Sequence, residues 1–184
     1  TAVGAVSPDR TIVAPPAGDK FDPEIGAGEI AARAVDGPLR LVFVGNVVPR
    51  KGLSTLVAAL ADVEADWELA VVGRPVDRRY LRRVQRRVDA AGVDDRVRFA
   101  GELPDDELAT VLRGSHVLAV PSEYEGLGIV YLEAASFGLP SIASSAGGAG
   151  EVVTDGETGF LVDPGDRAAI ADAVETLATD RDRL

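Results

Sequence analysis

The sequence predicts an α/β domain of three layers, with a mainly parallel sheet between two sets of helices. Three observations lead there. Short apolar runs alternate with amphipathic stretches along most of the 184 residues. The runs are apolar at successive positions, as in strands buried on both faces. Glycine or proline closes several of them, where the chain must turn or can no longer donate to a ladder. In such sheets ligands bind beyond the carboxyl ends of the strands, so the loops leaving the strands are where function is sought.

Taken in order, Thr1 to Arg10 is polar and irregular, like the tail of something preceding. Thr11 to Ala14 reads as a short strand closed by Pro15–Pro16, and Gly26 to Val35 as a weak helix or a loop. Leu39 to Val44 is a strand with Gly45 to Arg50 as its exit loop. Gly52 to Leu60 is a helix with Leu53, Leu56, Val57 and Leu60 on one face. Trp67 to Val72 is the next strand, ended by Gly73. Asp77 to Ala91 is a helix whose stripe is Leu81, Val84, Val88 and Ala91. Arg96 to Ala100 is a strand, and Pro104 to Arg113 a helix with proline in its first turn. Val117 to Val120 is a strand that Pro121 ends. A helix begins near Gly128, with Ile129, Leu132, Ala135 and Ser136 at helical spacing, and Gly138 and Pro140 stop it. Ser141 to Ala143 and Phe160 to Val162 are extended, and Asp166 to Ala178 is a final helix.

Composition excludes several classes. No cysteine is present, so disulfides and thiolate metal sites are out, and a single histidine, His116, leaves no histidine-based metal site. A carboxylate Mg²⁺ site has nothing to support it. No apolar run approaches the ~20 residues that span a bilayer, and no secretory signal pattern opens the chain. Thirty acidic against nineteen basic residues, net charge −11, repel nucleic acid. Lys20 and Lys51 are the only lysines. An acidic, lysine-poor surface fits a salt-adapted protein, and the arginine bias fits a GC-rich genome equally well.

The chain is organised around Pro121 to Gly150. A strand, a polar loop and a helix start place free backbone N–H groups and the positive end of a helix dipole at one spot, a ready anion site. Glu125 lies in the loop and Glu133 inside the helix. If both were helical they would stand at most roughly 12 Å apart. That suits two ends of an extended polar ligand with an anionic middle better than one shared proton or metal. The plain alternative is a solvated loop carboxylate and an ordinary helix carboxylate. The second anchor is Gly45 to Gly52. A glycine after a buried strand lets backbone approach a ligand. Lys51 opens a helix, where the dipole disfavours a cation unless an anion sits beside it.

Glu125–Gly126–Leu127–Gly128–Ile129–Val130–Tyr131–Leu132–Glu133 resembles the Glu-x7-Glu motif of the retaining family 4 glycosyltransferases, which have the GT-B fold. Pro121–Ser122 precedes it. Gly138–Leu139–Pro140, Gly147–Gly148, Glu151–Val152–Val153, Asp155–Gly156 and Thr158–Gly159–Phe160–Leu161–Val162 follow in the family's order. Gly45–Asn46–Val47–Val48–Pro49–Arg50–Lys51–Gly52 resembles its phosphate-side loop, and Ala17 to Pro23 its lead-in segment. The resemblance covers nearly the whole chain. It implies a Rossmann-like domain, the donor-binding C-terminal half of a GT-B enzyme without its N-terminal acceptor domain. The implied reaction moves a sugar from a nucleoside-diphosphate sugar to an acceptor hydroxyl with the anomeric configuration kept. No cofactor is implied, and no metal is required.

By the same resemblance Lys51 contacts the donor diphosphate, Glu125 holds sugar hydroxyls and Glu133 accepts from the ribose. Gly45, Asn46, Arg50, Gly126, Leu127, Gly128, Ile129 and Val130 complete the donor site, and Arg98 to Leu103 lies beside the base. Lys51 and Glu125 are the catalytic pair it implies. No side chain is an obvious nucleophile. The family has Arg where this chain has Asn46, which removes one phosphate cation, and Arg50 could stand in for it. The fragment alone is expected to be inactive. A module that binds nucleotide without turnover and a GT-B nucleotide-sugar epimerase are the rival readings.

Other motifs carry less. Gly148 to Val153 lacks the third glycine of the dinucleotide fingerprint, and Lys51–Gly52 has the wrong order for a P-loop. His116 reads as structural. Arg78, Arg79, Arg82, Arg83, Arg86 and Arg87 make one basic helix face. It could touch anionic lipid or a phosphate-bearing acceptor, or be solvated and salt-bridged. The expected location is cytoplasmic, with peripheral membrane contact on the cytoplasmic face as an option for the full-length protein.

Overall fold

The apolar runs have no polar face to turn outward, so each must be covered on both sides. In the computed structural model, which describes residues 20, 21, 23–35 and 37–184, they form one six-stranded sheet. Its strands are β1 (Leu39–Val44), β2 (Trp67–Val72), β3 (Val97–Gly101), β4 (Val117–Val120), β5 (Ser141–Ser144) and β6 (Gly159–Val162). Every pairing is parallel and the order is β3-β2-β1-β4-β5-β6. β1 and β2 run in register from Leu39 opposite Trp67 to Val44 opposite Val72. β4 and β5 are buried at every position.

The helices are α1 (Ala27–Arg33), α2 (Leu53–Leu60), α3 (Arg78–Ala91), α4 (Asp105–Gly114), α5 (Ile129–Ser136) and α6 (Arg167–Thr179). α2 packs against α3 and α6 on one face of the sheet. Right-handed crossovers place α4 and α5 on the other. The strand order reverses between β1 and β4. The chain leaves β1 toward one edge and β4 toward the other, so their exit loops part and leave a crevice.

Local chemistry explains the ends. Asp77 caps α3 by accepting from the amides of Arg79 and Tyr80 at 2.8 and 2.9 Å, and Asp166 caps α6 through the Ala169 amide. Three expectations shift. The buried stripe of α3 is Tyr80, Val84 and Val88, while Ala91 is exposed. The Tyr80 hydroxyl accepts from the Ser54 amide at 2.9 Å, and Leu81 is half-buried against the core. The buried face of α5 is Tyr131 and Ala134, not Ile129 and Ala135, both of which are exposed. Lys51 does not open a helix: it ends a short 3-10 turn, Pro49–Lys51, and Gly52 in the left-handed region separates it from α2. The strand expected at Thr11 to Ala14 lies outside the described residues.

His116 sits at the start of β4, at the opposite end of that strand from the Glu125 loop, and is fully buried. Its Nδ1 accepts from the Arg40 amide at 3.0 Å, and Nε2 donates to the Arg33 carbonyl at 2.7 Å. The ring thus joins α1, β1 and β4 as a neutral group. Burial, then the nearby arginine charges, push its pKa from 6.5 down to about 4. A depressed histidine pKa gives stability that is complete above 6.5 and lost as pH falls toward 4. The shift is worth about 3 kcal/mol. Urea unfolding from pH 7 to pH 4 should therefore show wild type losing roughly that much more stability than His116→Asn. Parallel curves would show that the buried imidazole does not control acid sensitivity.

Candidate functional site

Three loops meet at the crevice, and glycines let them meet. A Cβ on Gly52 would overlap the Pro121 carbonyl, which brings the loop after β1 onto the end of β4. A Cβ on Gly73 would overlap the Gly45 carbonyl. On the far side, Gly147 and Gly148 lie against the backbone of Glu125 and Gly126. The Gly148 amide donates to the Glu125 carbonyl at 2.7 Å, and the Glu125 amide to the Ala146 carbonyl at 3.1 Å. Gly147–Gly148 thus packs against the Glu125 loop. At least its Gly148 amide is spent holding Glu125.

Lys51 and Glu125, brought together from 74 residues apart, form an ion pair at the centre. Nζ lies 2.6 Å from Oε2, and the two side chains are only 12% and 11% exposed. The lysine stem runs beside Gly45, with Cε 3.6 Å from where a Cβ would be. Ser122 Oγ donates to the same carboxylate oxygen at 3.2 Å, and Ser122 is fully buried. Tyr131 packs behind it, with its hydroxyl donating to the Val120 carbonyl at 2.9 Å. Burial first, and then the Glu125 charge, push the Tyr131 phenol well above its usual range. Ser122 and Tyr131 were not singled out from sequence. Only the proline–serine pair beside the loop hinted at the first.

The remaining predicted residues divide. Gly128, left-handed at φ 67, caps α5, and the amides of Ile129 and Val130 in its first turn have no partner among the described residues. Gly126, Leu127 and Ile129 are exposed, and Val130 is half-buried. Val76, Tyr124, Leu127 and Ile129, four of the five large hydrophobics exposed among the described residues, lie on loops leaving β2 and β4 or open α5. Asn46 is exposed, and Arg50 donates to the Tyr124 carbonyl at 2.6 Å, so it braces the two loops.

Glu133 stands apart from the ion pair. Its nearest cation is Lys20, at 4.0 Å, which is itself paired with Asp105 at 2.8 Å. Burial raises the Glu133 pKa despite that cation. The six arginines of α3 are exposed, and among the described residues none lies within 4.0 Å of a carboxylate, so that face is solvated but not salt-bridged. Among the described residues no cluster of histidine, aspartate and glutamate could hold a metal, and no helix is long and apolar enough to cross a membrane. A groove of about 640 Å³ is lined by β1–β3 and α4 and includes neither Lys51 nor Glu125.

An all-parallel sheet whose order reverses between β1 and β4, covered by helices on both faces, defines a Rossmann-like α/β fold, and sequence comparison gives the family. The model for group 1 glycosyl transferases matches residues 30–184, and the chain belongs to that family. It is 37% identical over 177 residues to the GDP-mannose-dependent alpha-(1-6)-phosphatidylinositol monomannoside mannosyltransferase of Mycobacterium tuberculosis, covering 90% of this chain and 45% of that protein. It is 35% identical over 185 residues to the D-inositol 3-phosphate glycosyltransferase of Corynebacterium efficiens, covering 94% and 44%. The chain thus spans less than half the length of these relatives. HepE of Anabaena in complex with UDP and glucose superposes with a TM-score of 0.77 at 25% identity, over 89% of this chain and 47% of that one. The C-terminal domain of a group 1 glycosyl transferase from Francisella tularensis superposes at 0.73 with 26% identity, over 87% of each chain. The Rossmann-like architecture is that of the C-terminal domain of GT-B glycosyltransferases.

Proposed function

We propose that this chain is the donor-binding half of a retaining glycosyltransferase, which transfers a sugar from a nucleoside-diphosphate sugar to an acceptor hydroxyl. The observation that carries the reading is the Lys51–Glu125 pair at the switch point, beside the unpartnered amides that open α5. Lys51 with the amides of Ile129 and Val130 stabilises charge growing on the leaving diphosphate, the kind of preorganised electrostatics that commonly dominates catalysis. Glu125 accepts from hydroxyls of the sugar, and Glu133, further along α5, from the ribose. Acceptor groups belong to the other half of the enzyme. The relatives named for GDP-mannose and the neighbour holding UDP and glucose support a nucleotide-sugar as ligand.

Calorimetry with GDP, GDP-mannose, UDP and UDP-glucose in EDTA tests the reading. Binding of one base's ligands without added metal is expected. Glu133→Ala should weaken the free diphosphate and its sugar by similar factors, about one to two decades. No binding, or binding only with Mg²⁺ or Mn²⁺, would count against the site as drawn. A second reading, a nucleotide-binding module without turnover, draws on Asn46 and on Arg50 being committed to Tyr124, which leave Lys51 as the phosphate cation of this loop. Donor binding by the full-length protein without transfer to any acceptor would favour it.

A further inference from the structure

Lys51 and Glu125 are assigned above to different parts of one ligand, the cation to the diphosphate and the carboxylate to the sugar. In the structure they serve each other. We infer that Glu125 is a specificity determinant that competes with the diphosphate for Lys51, and so ranks a sugar-bearing donor above the free nucleoside diphosphate. The inference rests on the proposed donor site.

The argument is geometric. Oε2 of Glu125 lies 2.6 Å from Nζ, and Nζ has no other partner among the described residues. A phosphate oxygen that also binds Nζ must come within roughly 4–5 Å of that carboxylate, since both sit at hydrogen-bond distance from one nitrogen. The carboxylate is held in place. Ser122 donates to it, and its backbone is bonded on both sides to the Ala146–Gly148 loop. With both side chains nearly buried, the repulsion between the two anions is weakly screened. Asn46 is neutral, and Arg50, which keeps its charge, is held exposed at the Tyr124 carbonyl rather than paired with Glu125.

A free diphosphate therefore meets a lysine already neutralised by a fixed carboxylate. A sugar-bearing donor differs in two ways. Its terminal phosphate is esterified and carries less negative charge. Its hydroxyls also donate to Glu125, giving the carboxylate partners in exchange for its share of Lys51. The pair thus disfavours the product of transfer more than the donor. If the pair were only a brace between two loops, removing the carboxylate charge would not distinguish the two ligands in this way.

The test is a set of dissociation constants for GDP, GDP-mannose, UDP and UDP-glucose with wild type, Glu125→Gln, Lys51→Met and the double variant, each checked for a cooperative thermal melt. Glu125→Gln should bind the free diphosphate about tenfold more tightly and the matching sugar donor about tenfold more weakly. The gain for diphosphate should vanish when Lys51 is already methionine. Should Glu125→Gln fail to fold, Ser122→Ala replaces it. That variant frees the carboxylate to swing aside, and must move the donor-to-diphosphate ratio in the same direction by about threefold. Unchanged or weakened diphosphate binding in Glu125→Gln, with the donor weakened, overturns the inference and leaves the donor site standing. Failure of wild type to bind any of the four ligands overturns both.

Discussion

Lys51→Met should lower affinity for a nucleoside diphosphate by about two decades, with little change for the nucleoside alone. The substitution keeps the stem that lies along Gly45 and removes only the charge. It also leaves Glu125 as a nearly buried carboxylate with Ser122 as its remaining side-chain partner. Breaking such a pair from one side costs about 3 kcal/mol, because the surviving ion has lost its counter-charge. Stability and binding should therefore fall together in the single variant. Adding Glu125→Gln removes the orphaned charge, so the double variant should regain most of the stability and none of the phosphate discrimination. Arg50→Ala, which removes an exposed brace to the Tyr124 carbonyl, should change diphosphate affinity much less. Urea unfolding and calorimetry on the four proteins measure both quantities. Equal losses for nucleoside, monophosphate and diphosphate would make Lys51 a support of the fold alone.

Gly147→Ala should be among the most damaging single substitutions in the chain. Gly147 has φ 98, and an added Cβ would overlap the Glu125 carbonyl. Two penalties combine there: a left-handed backbone forced on an L side chain, and a backbone that must move away from Glu125. A loss of roughly 3–5 kcal/mol is expected, with donor binding lost even where the variant is still folded. Gly156→Ala separates the two causes. Gly156 has φ 76 but nothing within 4 Å of an added Cβ. Strain alone should cost it about 1–2 kcal/mol. Similar losses at both positions would mean that contact with Glu125 adds nothing to backbone strain.

The strands and the order of elements were legible in the sequence, because burial on both faces requires apolar residues at successive positions, and Val117 to Val120 could be little else. The loops at the carboxyl ends were legible for the same reason: Gly45 and Pro121 mark where the ladder must stop. Lys51 and Glu125 were identifiable as residue types suited to a phosphate and a sugar. Their partnership was not, since nothing local connects positions 74 residues apart. Only the switch between β1 and β4, closed by Gly52 against Pro121 and by Gly147 against Glu125, brings them together. The face of α5 was misjudged by periodicity, and that of α3 only at Tyr80 and Ala91. Helical spacing shows that a stripe exists, but its orientation is set by what packs there. Tyr80 reaches back to Ser54, and Tyr131 to the end of β4, leaving Ile129 outward at the mouth of the crevice. Composition and period determined the layers. Contacts between residues distant in the chain determined the site.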